Sequence, residues 1–201
     1  MTKGFLVVIS SPSGGGKDSV INALLKILPN SARFVTTTSR PPRPGNKNGV
    51  DYFFISKEQF ENGVKNEEFL EYNVYSGNYY GTEKKRLSES LEKYDLAFTQ
   101  IEVNGKHNLD KANVPNLSIY LLPESLDILR KRIERRGGLT AAQIDDRLKI
   151  AKEEMGKSVD YDYRIVNQEG KLAETVSEVA KIIRDYQAID KKSQLSYNHI
   201  T

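Results

Sequence analysis

The stretch Ser11-Pro12-Ser13-Gly14-Gly15-Gly16-Lys17-Asp18-Ser19 decides the fold. It follows an apolar run, Phe5-Leu6-Val7-Val8-Ile9, that predicts a buried strand, and it precedes residues 20–28, whose pattern predicts a helix. Strand, glycine-rich loop, lysine and helix is the arrangement that wraps backbone N–H groups around a nucleoside polyphosphate. Small residues let the backbone approach the phosphates. The helix N-terminus adds partial positive charge, and Lys17 adds a full one. Two positions depart from the phosphate-loop pattern: Ser11 stands where Gly is usual, and Asp18 stands where Ser or Thr is usual. Taken alone, the loop also reads as a glycine-rich turn with Asp18 in the favoured first turn of a helix. The flanking strand and helix argue for the phosphate reading.

A chain of 201 residues builds one substantial core with room for small inserted lobes. With 38% hydrophobic and 28% charged residues it has the composition of a soluble globular protein. No run is long enough to cross a bilayer and no leader pattern is visible, so the expectation is a cytoplasmic protein with no membrane partner. The absence of cysteine excludes disulfides and thiolate metal sites. The net charge of +3 says little, but basic residues cluster at positions 40–43 and 130–136 without an accompanying aromatic RNA-binding signature. That distribution suits compact anionic ligands and not a nucleic-acid track.

Beyond the opening unit, Arg40-Pro41-Pro42-Arg43-Pro44-Gly45 must be irregular, because prolines break regular pairing. Short strands are predicted at 52–55, in one or two pieces across 69–80, and at 96–101, 117–122 and 163–167. Helices are predicted at 57–66, 84–93, 125–136, 140–154 and 172–185, with Thr140-Ala141-Ala142-Gln143 a capping box. Residues 191–201 carry no sustained pattern and read as a frayed tail. Alternating strands and helices imply a mainly parallel sheet. Residues 36–81 interrupt that rhythm and read as a lobe of short antiparallel strands. The charged helices at 125–154 read as a second, mobile insertion.

Several separated motifs carry chemistry. In Thr36-Thr37-Thr38-Ser39-Arg40-Pro41-Pro42-Arg43-Pro44-Gly45, followed by Gly49-Val50-Asp51-Tyr52, two arginines in a proline-braced loop can clamp one phosphate. Glu67-Glu68-Phe69-Leu70-Glu71-Tyr72 precedes Gly77-Asn78-Tyr79-Tyr80-Gly81-Thr82, which sets a carboxylate run ahead of an aromatic one. Phe98-Thr99-Gln100-Ile101-Glu102-Val103-Asn104-Gly105 follows. Arg130-Lys131-Arg132-Ile133-Glu134-Arg135-Arg136-Gly137 and Asp146-Arg147-Leu148 supply further cations.

In this order, over residues 5–185, the motifs resemble those of guanylate kinases, which move a phosphoryl group from ATP to GMP. The resemblance implies that Arg40, Arg43, Tyr52 and Tyr80 hold the GMP phosphate. Glu71, Glu102, Thr36 and Thr82 would read guanine. Ser11, Pro12, Ser13, Gly14, Gly15, Gly16, Lys17, Asp18, Ser19 and Asn167 would bind ATP, with Asn167 near adenine. Lys17 with Arg132, Arg136 and Arg147 of a lid would stabilise the moving group. The family usually carries an acidic residue at the Gln100 position, supporting Mg²⁺. With Asp18 in the loop and Gln100 on the strand the summed charge is kept, so an exchanged magnesium site is expected, Asp18 ligating directly and Gln100 holding a coordinated water. The competing reading is impairment, because an unscreened carboxylate about 4 Å from a phosphate costs about 4 kcal/mol at intermediate dielectric.

The expected fold is thus a three-layer α/β P-loop NTPase sandwich with a mainly parallel sheet, an inserted GMP-binding lobe and a helical lid. Its core is expected at about 4–35, 83–125 and 158–186, the lobe at 36–82, the lid at 126–157 and a tail at 187–201. The expected activity is ATP-dependent phosphorylation of GMP, with dGMP a second acceptor, by a monomer or homodimer. Two rivals remain: a catalytically weakened guanylate kinase-like binding module, and a related kinase with another small phosphorylated acceptor.

Overall fold

The computed structural model describes residues 4–75 and 77–197, with side chains described as far as Ile189. Strand β1 (Phe5–Ser10) leads through the glycine loop into helix α1 (Lys17–Ile27). The remaining strands of the main sheet are β2 (Ser31–Arg33), β7 (Leu96–Thr99), β8 (Asn116–Pro123) and β9 (Tyr163–Asn167), in the order β2-β7-β1-β8-β9. Every neighbouring pair is parallel. Central strand β1 is buried on both faces, which explains its uninterrupted apolar run. Val7 and Ile9 point to one face, with Val20, Ile21 and Leu24 of α1 and Val179 and Ile183 of the closing helix α7 (Leu172–Tyr197). Leu6 and Val8 point to the other, with Leu87 of α3 (Lys84–Lys93) and Val103 and Leu109 of α4 (Val103–Lys111). Two helical layers therefore enclose the sheet, as expected of the three-layer fold.

The second sheet belongs to the region between α1 and α3. It contains β3 (Thr37–Thr38), β4 (Phe53–Phe54), β5 (Phe69–Tyr75) and β6 (Asn78–Glu83), in the order β4-β3-β6-β5. The expectation of antiparallel strands needs one correction, since β3 pairs parallel to β4. The long irregular connection through Arg40–Gly45 gives the chain length enough to return in the same direction. Helix α2 (Lys57–Lys65) covers this sheet, with Phe60 stacked on Phe69 at 4.2 Å and on Tyr79 at 5.1 Å.

Helices α5 (Leu126–Arg136) and α6 (Ala141–Lys157) share a small apolar core of Leu129, Ile133, Ile144 and Ala151. The predicted capping box forms: Thr140 accepts from the Gln143 amide, and Gln143 reaches back. A 3-10 turn, Ser158–Asp160, returns the chain to β9. Three expectations change. Helix α4 was not foreseen, because Gly105 and two asparagines depress helix propensity and tertiary packing decides instead. Strand β7 ends at Thr99, so Gln100–Glu102 leave the sheet as a loop. Finally, the backbone of α7 continues to Tyr197 through much of the expected tail, and residues 198–201 lie outside the described residues.

Candidate active site

The phosphate loop leaves β1 at Ser10 and enters α1 at Lys17. Gly14 and Gly16 have φ of 91° and 93°, the left-handed region that glycine occupies without a Cβ penalty. At Gly16 a Cβ would also lie 2.5 Å from Nδ2 of Asn167. Asn167 is buried at the end of β9. Its Nδ2 donates to the Gly15 carbonyl at 2.8 Å, and its Oδ1 accepts from the Thr175 hydroxyl at 3.0 Å. The residue expected near adenine thus holds the loop itself, while also lining a depression with Gly14, Gly16, Ser19, Arg132 and Arg136. In front of the loop a cavity of about 330 Å³ is lined by Ser11, Ser13, Lys17, Asp18, Arg136, Arg147 and Glu154, among others. Pro12 is buried, and its carbonyl accepts from the Gly15 amide at 2.8 Å.

A second cavity, about 360 Å³, lies between the small sheet and the main one. Thr36, Arg40, Arg43, Tyr52, Glu71, Tyr80, Gln100, Glu102 and Gly105 are on its wall. Its cations are braced in advance. Asn46 accepts from the Arg40 guanidinium at 3.1 Å and from the Arg43 backbone at 3.0 Å, and the Arg40 guanidinium lies 5.6 Å from the Tyr52 ring centre. Tyr52 meets Tyr80 edge-to-face at 5.8 Å. Glu71 is 7% exposed, and burial pushes its carboxyl up to about 7 against the opposing bond from Thr82. Thr82 itself lies behind Glu71, donating to Oε1 at 2.7 Å. Burial also raises the Tyr52 phenol.

The two cavities touch: Arg43, Tyr75 and Glu102 line both. Protein atoms crowding Glu102 raise its carboxyl although it is open to solvent at the wall, and Lys17 opposes the rise. From α6, Arg147 donates to the Ser13 hydroxyl at 3.1 Å. From α5, Arg132 donates to the Glu169 carboxylate at 2.7 Å and to the Asn167 carbonyl at 2.9 Å. A phosphate-loop cavity with a lysine and arginines from α5 and α6, opening onto a cavity with paired arginines, one buried carboxylate and one exposed carboxylate, could accept two anionic ligands.

Comparison with known proteins gives the site its relatives. The guanylate kinase family model matches residues 3–186. A guanylate kinase of Onion yellows phytoplasma (strain OY-M) is 38% identical over 197 residues, covering 97% of this chain and 92% of that protein. One from Clostridioides difficile (strain 630) is 42% identical over 171 residues, 85% of this chain and 83% of that protein. The crystal structure of guanylate kinase from Anaplasma phagocytophilum superposes with a TM-score of 0.72 at 31% identity, covering 93% of this chain and 88% of that one. This chain belongs to the guanylate kinase family.

The two residues expected to hold Mg²⁺ lie apart. Asp18 lines the phosphate-loop cavity, and Gln100 lines the other. The structure does not bring them onto one wall. Asp18 is paired with Arg33 of β2 at 3.3 Å, half-exposed, and Arg33 also donates to Asn22 at 3.1 Å. Gln100 Oε1 is buried with no hydrogen-bond partner. No cluster of three or more metal-binding side chains occurs among the described residues. Asp18 and Gln100 each offer a hard oxygen, the donor type of a magnesium ion that keeps waters and takes phosphate oxygens, from two adjoining cavities and not from one wall.

Sequence reasoning missed Arg33, Asn46, Tyr75 and Glu154. Arg33 acts through Asp18, 15 residues away, and Asn46 through Arg40 and Arg43 of its own loop, and no spacing marks either. Glu154 falls on a charged helix where a solvated face is the ordinary expectation. Burial, with Glu102 nearby, pushes its carboxyl up to about 7 although Lys17 and Lys157 oppose.

Proposed function

We propose that this guanylate kinase transfers the γ-phosphoryl group of ATP to GMP, giving ADP and GDP, with dGMP as a second acceptor. The observation that carries the reading is the pair of adjoining cavities sharing Arg43, Tyr75 and Glu102. Residues 36–82 are the acceptor lobe and 126–157 the lid. Arg40, Arg43, Tyr52 and Tyr80 hold the GMP phosphate, and Glu71, Glu102 and Thr36 read guanine, with Thr82 fixing Glu71. Adenine lacks the adjacent donor pair that two ionised carboxylates accept. The acceptor phosphate oxygen is already anionic, so no general base is needed. Lys17, Arg132, Arg136 and Arg147 concentrate positive charge where the γ-phosphoryl passes, and positioning plus electrostatics supply the catalysis.

Family phosphotransfer generally uses Mg²⁺, which neutralises phosphate oxygens when bound. Asp18 would hold it directly and Gln100 through a water. The exchanged site is tested by Asp18→Ser, Gln100→Asp and the double variant, following Mn²⁺ affinity by electron paramagnetic resonance beside turnover. Strict additivity would contradict it. The absence of cysteine supports a reducing cytoplasm as the setting, with a monomer or homodimer as the unit. Among the described residues no helix is long and apolar enough to cross a membrane.

The deciding experiment measures ADP release from ATP with GMP, against AMP, CMP and UMP, with and without Mg²⁺. GMP-dependent release is expected. GMP binding without turnover would favour the binding module, and turnover with AMP alone would remove the guanine assignment.

A further inference from the structure

Three segments that serve different nucleotides meet at one buried hydroxyl. Ser10, the last residue of β1, is 1% exposed. Its Oγ donates to the Ile101 carbonyl at 2.6 Å and accepts from the Tyr161 hydroxyl at 2.8 Å. Both directions are forced. A carbonyl only accepts, so the single Ser10 proton goes to Ile101, and Tyr161 must donate to Ser10. Ile101 lies between Gln100 and Glu102 on the acceptor wall. Tyr161 follows the 3-10 turn at the end of α6, the helix that carries Arg147 and Glu154. Burial pushes the Tyr161 phenol above its ordinary value, so it remains a donor at neutral pH.

Lys106 makes a second link between the same segments. It sits in α4, four residues beyond Glu102, and is 5% exposed. Its ammonium donates to the Asp160 carbonyl at 3.0 Å and lies 2.7 Å from the Asp110 carboxylate, with the Tyr161 ring centre 5.0 Å away. A buried cation requires such partners, so α4 is pinned to the turn.

The loop is the located party, and the other two are its anchors. Strand β1 is laddered on both sides, and Ser10 itself is in register with Tyr120 of β8. Asp162, next to Tyr161, accepts from both the amide (2.8 Å) and the hydroxyl (2.7 Å) of Ser118. Residues 100–102 have no ladder. Their position sets the wall opposite Glu71: a Cβ added to Gly105 would lie 3.3 Å from Ile101 Cβ and 3.6 Å from Glu71 Oε2.

We propose that Ser10, Tyr161 and Lys106 are positioning residues that hold the Gln100–Glu102 loop in register with Glu71, so that guanine selectivity depends on the base of the α5–α6 segment. The proposal rests on the GMP reading above. The structure assigns none of the three to contact with substrate; they act through Glu102.

The test uses the full chain. The kcat and KM values for GMP and for IMP, which lacks the 2-amino group, are measured in wild type, Tyr161→Phe, Ser10→Ala and Lys106→Met, with KM for ATP and the thermal midpoint alongside. Tyr161→Phe is expected to raise KM for GMP about 3-fold, and Ser10→Ala about 10-fold, the scale of one lost hydrogen bond and of two unpartnered groups. The preference for GMP over IMP should shrink in step. For Tyr161→Phe, kcat and KM for ATP should stay within about twofold of wild type. Ser10→Ala leaves a buried carbonyl and phenol unpaired and risks misfolding; Tyr161→Phe keeps the Ser10–Ile101 bond and carries the test alone. A lowered thermal midpoint with unchanged GMP–IMP preference overturns the proposal and leaves a structural strut. Wild type that neither binds nor turns over GMP overturns the underlying acceptor reading instead.

Discussion

The two cavities hold their charged groups in different ways. On the acceptor side, Glu71 is buried and bonded to Thr82, Arg40 and Arg43 share Asn46, and Tyr52 lies between Arg40 and Tyr80. On the phosphate-loop side, Arg132 and Arg135 are tied to the Glu169 carboxylate, and Asp18 is tied to Arg33, all with at least one exposed member. Exposed pairs of this kind are worth about 0–1 kcal/mol, so they exchange for phosphate at little cost. On the proposed function, preorganisation belongs to the side that must choose its ligand, and exchangeable pairing to the side that must grip and release.

The comparison breaks most visibly at Lys17. Lys17→Met should lower kcat by about 10³-fold while leaving GMP affinity, measured by calorimetry, within about threefold. A comparable loss of GMP binding would mean the two sides are not separable.

Glu71→Gln comes next, with an expected fall of about 10²-fold in kcat/KM for GMP, because the amide opposes guanine N–H with a donor of its own. The same variant reports the cost of preorganisation. The Glu71 carboxyl is raised to about 7 in the folded chain, so folding favours its protonated form. Stability from this group is full at low pH and is lost as pH rises from the ordinary carboxylate range through about 7. Glu71→Gln should therefore melt above wild type at pH 8, by about 1–3 kcal/mol in stability, with the difference closing at about pH 5. Wild-type affinity for GMP should move oppositely, with KM falling as pH rises through about 7. Thermal melts and initial rates across that range check both signs.

Gly105→Ala should raise KM for GMP about 10-fold through the added methyl between Ile101 and Glu71. Smallest is Glu169→Gln. Freed of a competing carboxylate, Arg132 and Arg135 should lower KM for ATP by about two- to threefold. A rise instead would make Glu169 an orienting group and place it with the preorganised side.

Sequence patterns revealed what local physics decides. The apolar run of β1, the phosphate loop, the irregular Arg40–Gly45 segment, α3 and the capping box at Thr140 all appear where periodicity and turn chemistry put them. Strands β2 and β3 are too short to show a period. Helix α4 is held by burial of Val103 and Leu109, not by propensity. In the site, Asp18 and Gln100 were legible as departures, but the Arg33 partner of Asp18 and the unpartnered amide oxygen of Gln100 depend on side chains brought from elsewhere. Motifs name the groups that touch a ligand. The residues that hold those groups still are spread along the chain.

Helix α6 carries its own caps. Its first amides are satisfied by Thr140 and Gln143 from within the same segment, as Ser125 does for α5. The pair also keeps its own four-residue apolar core. Such a unit carries its end fittings with it. A swing of this unit on the turn at Ser158–Asp160 would strand no capped backbone donor; it would break the Arg147–Ser13 and Arg132–Glu169 contacts and part Leu129 and Ile133 from Gly14, with no unravelling of helix.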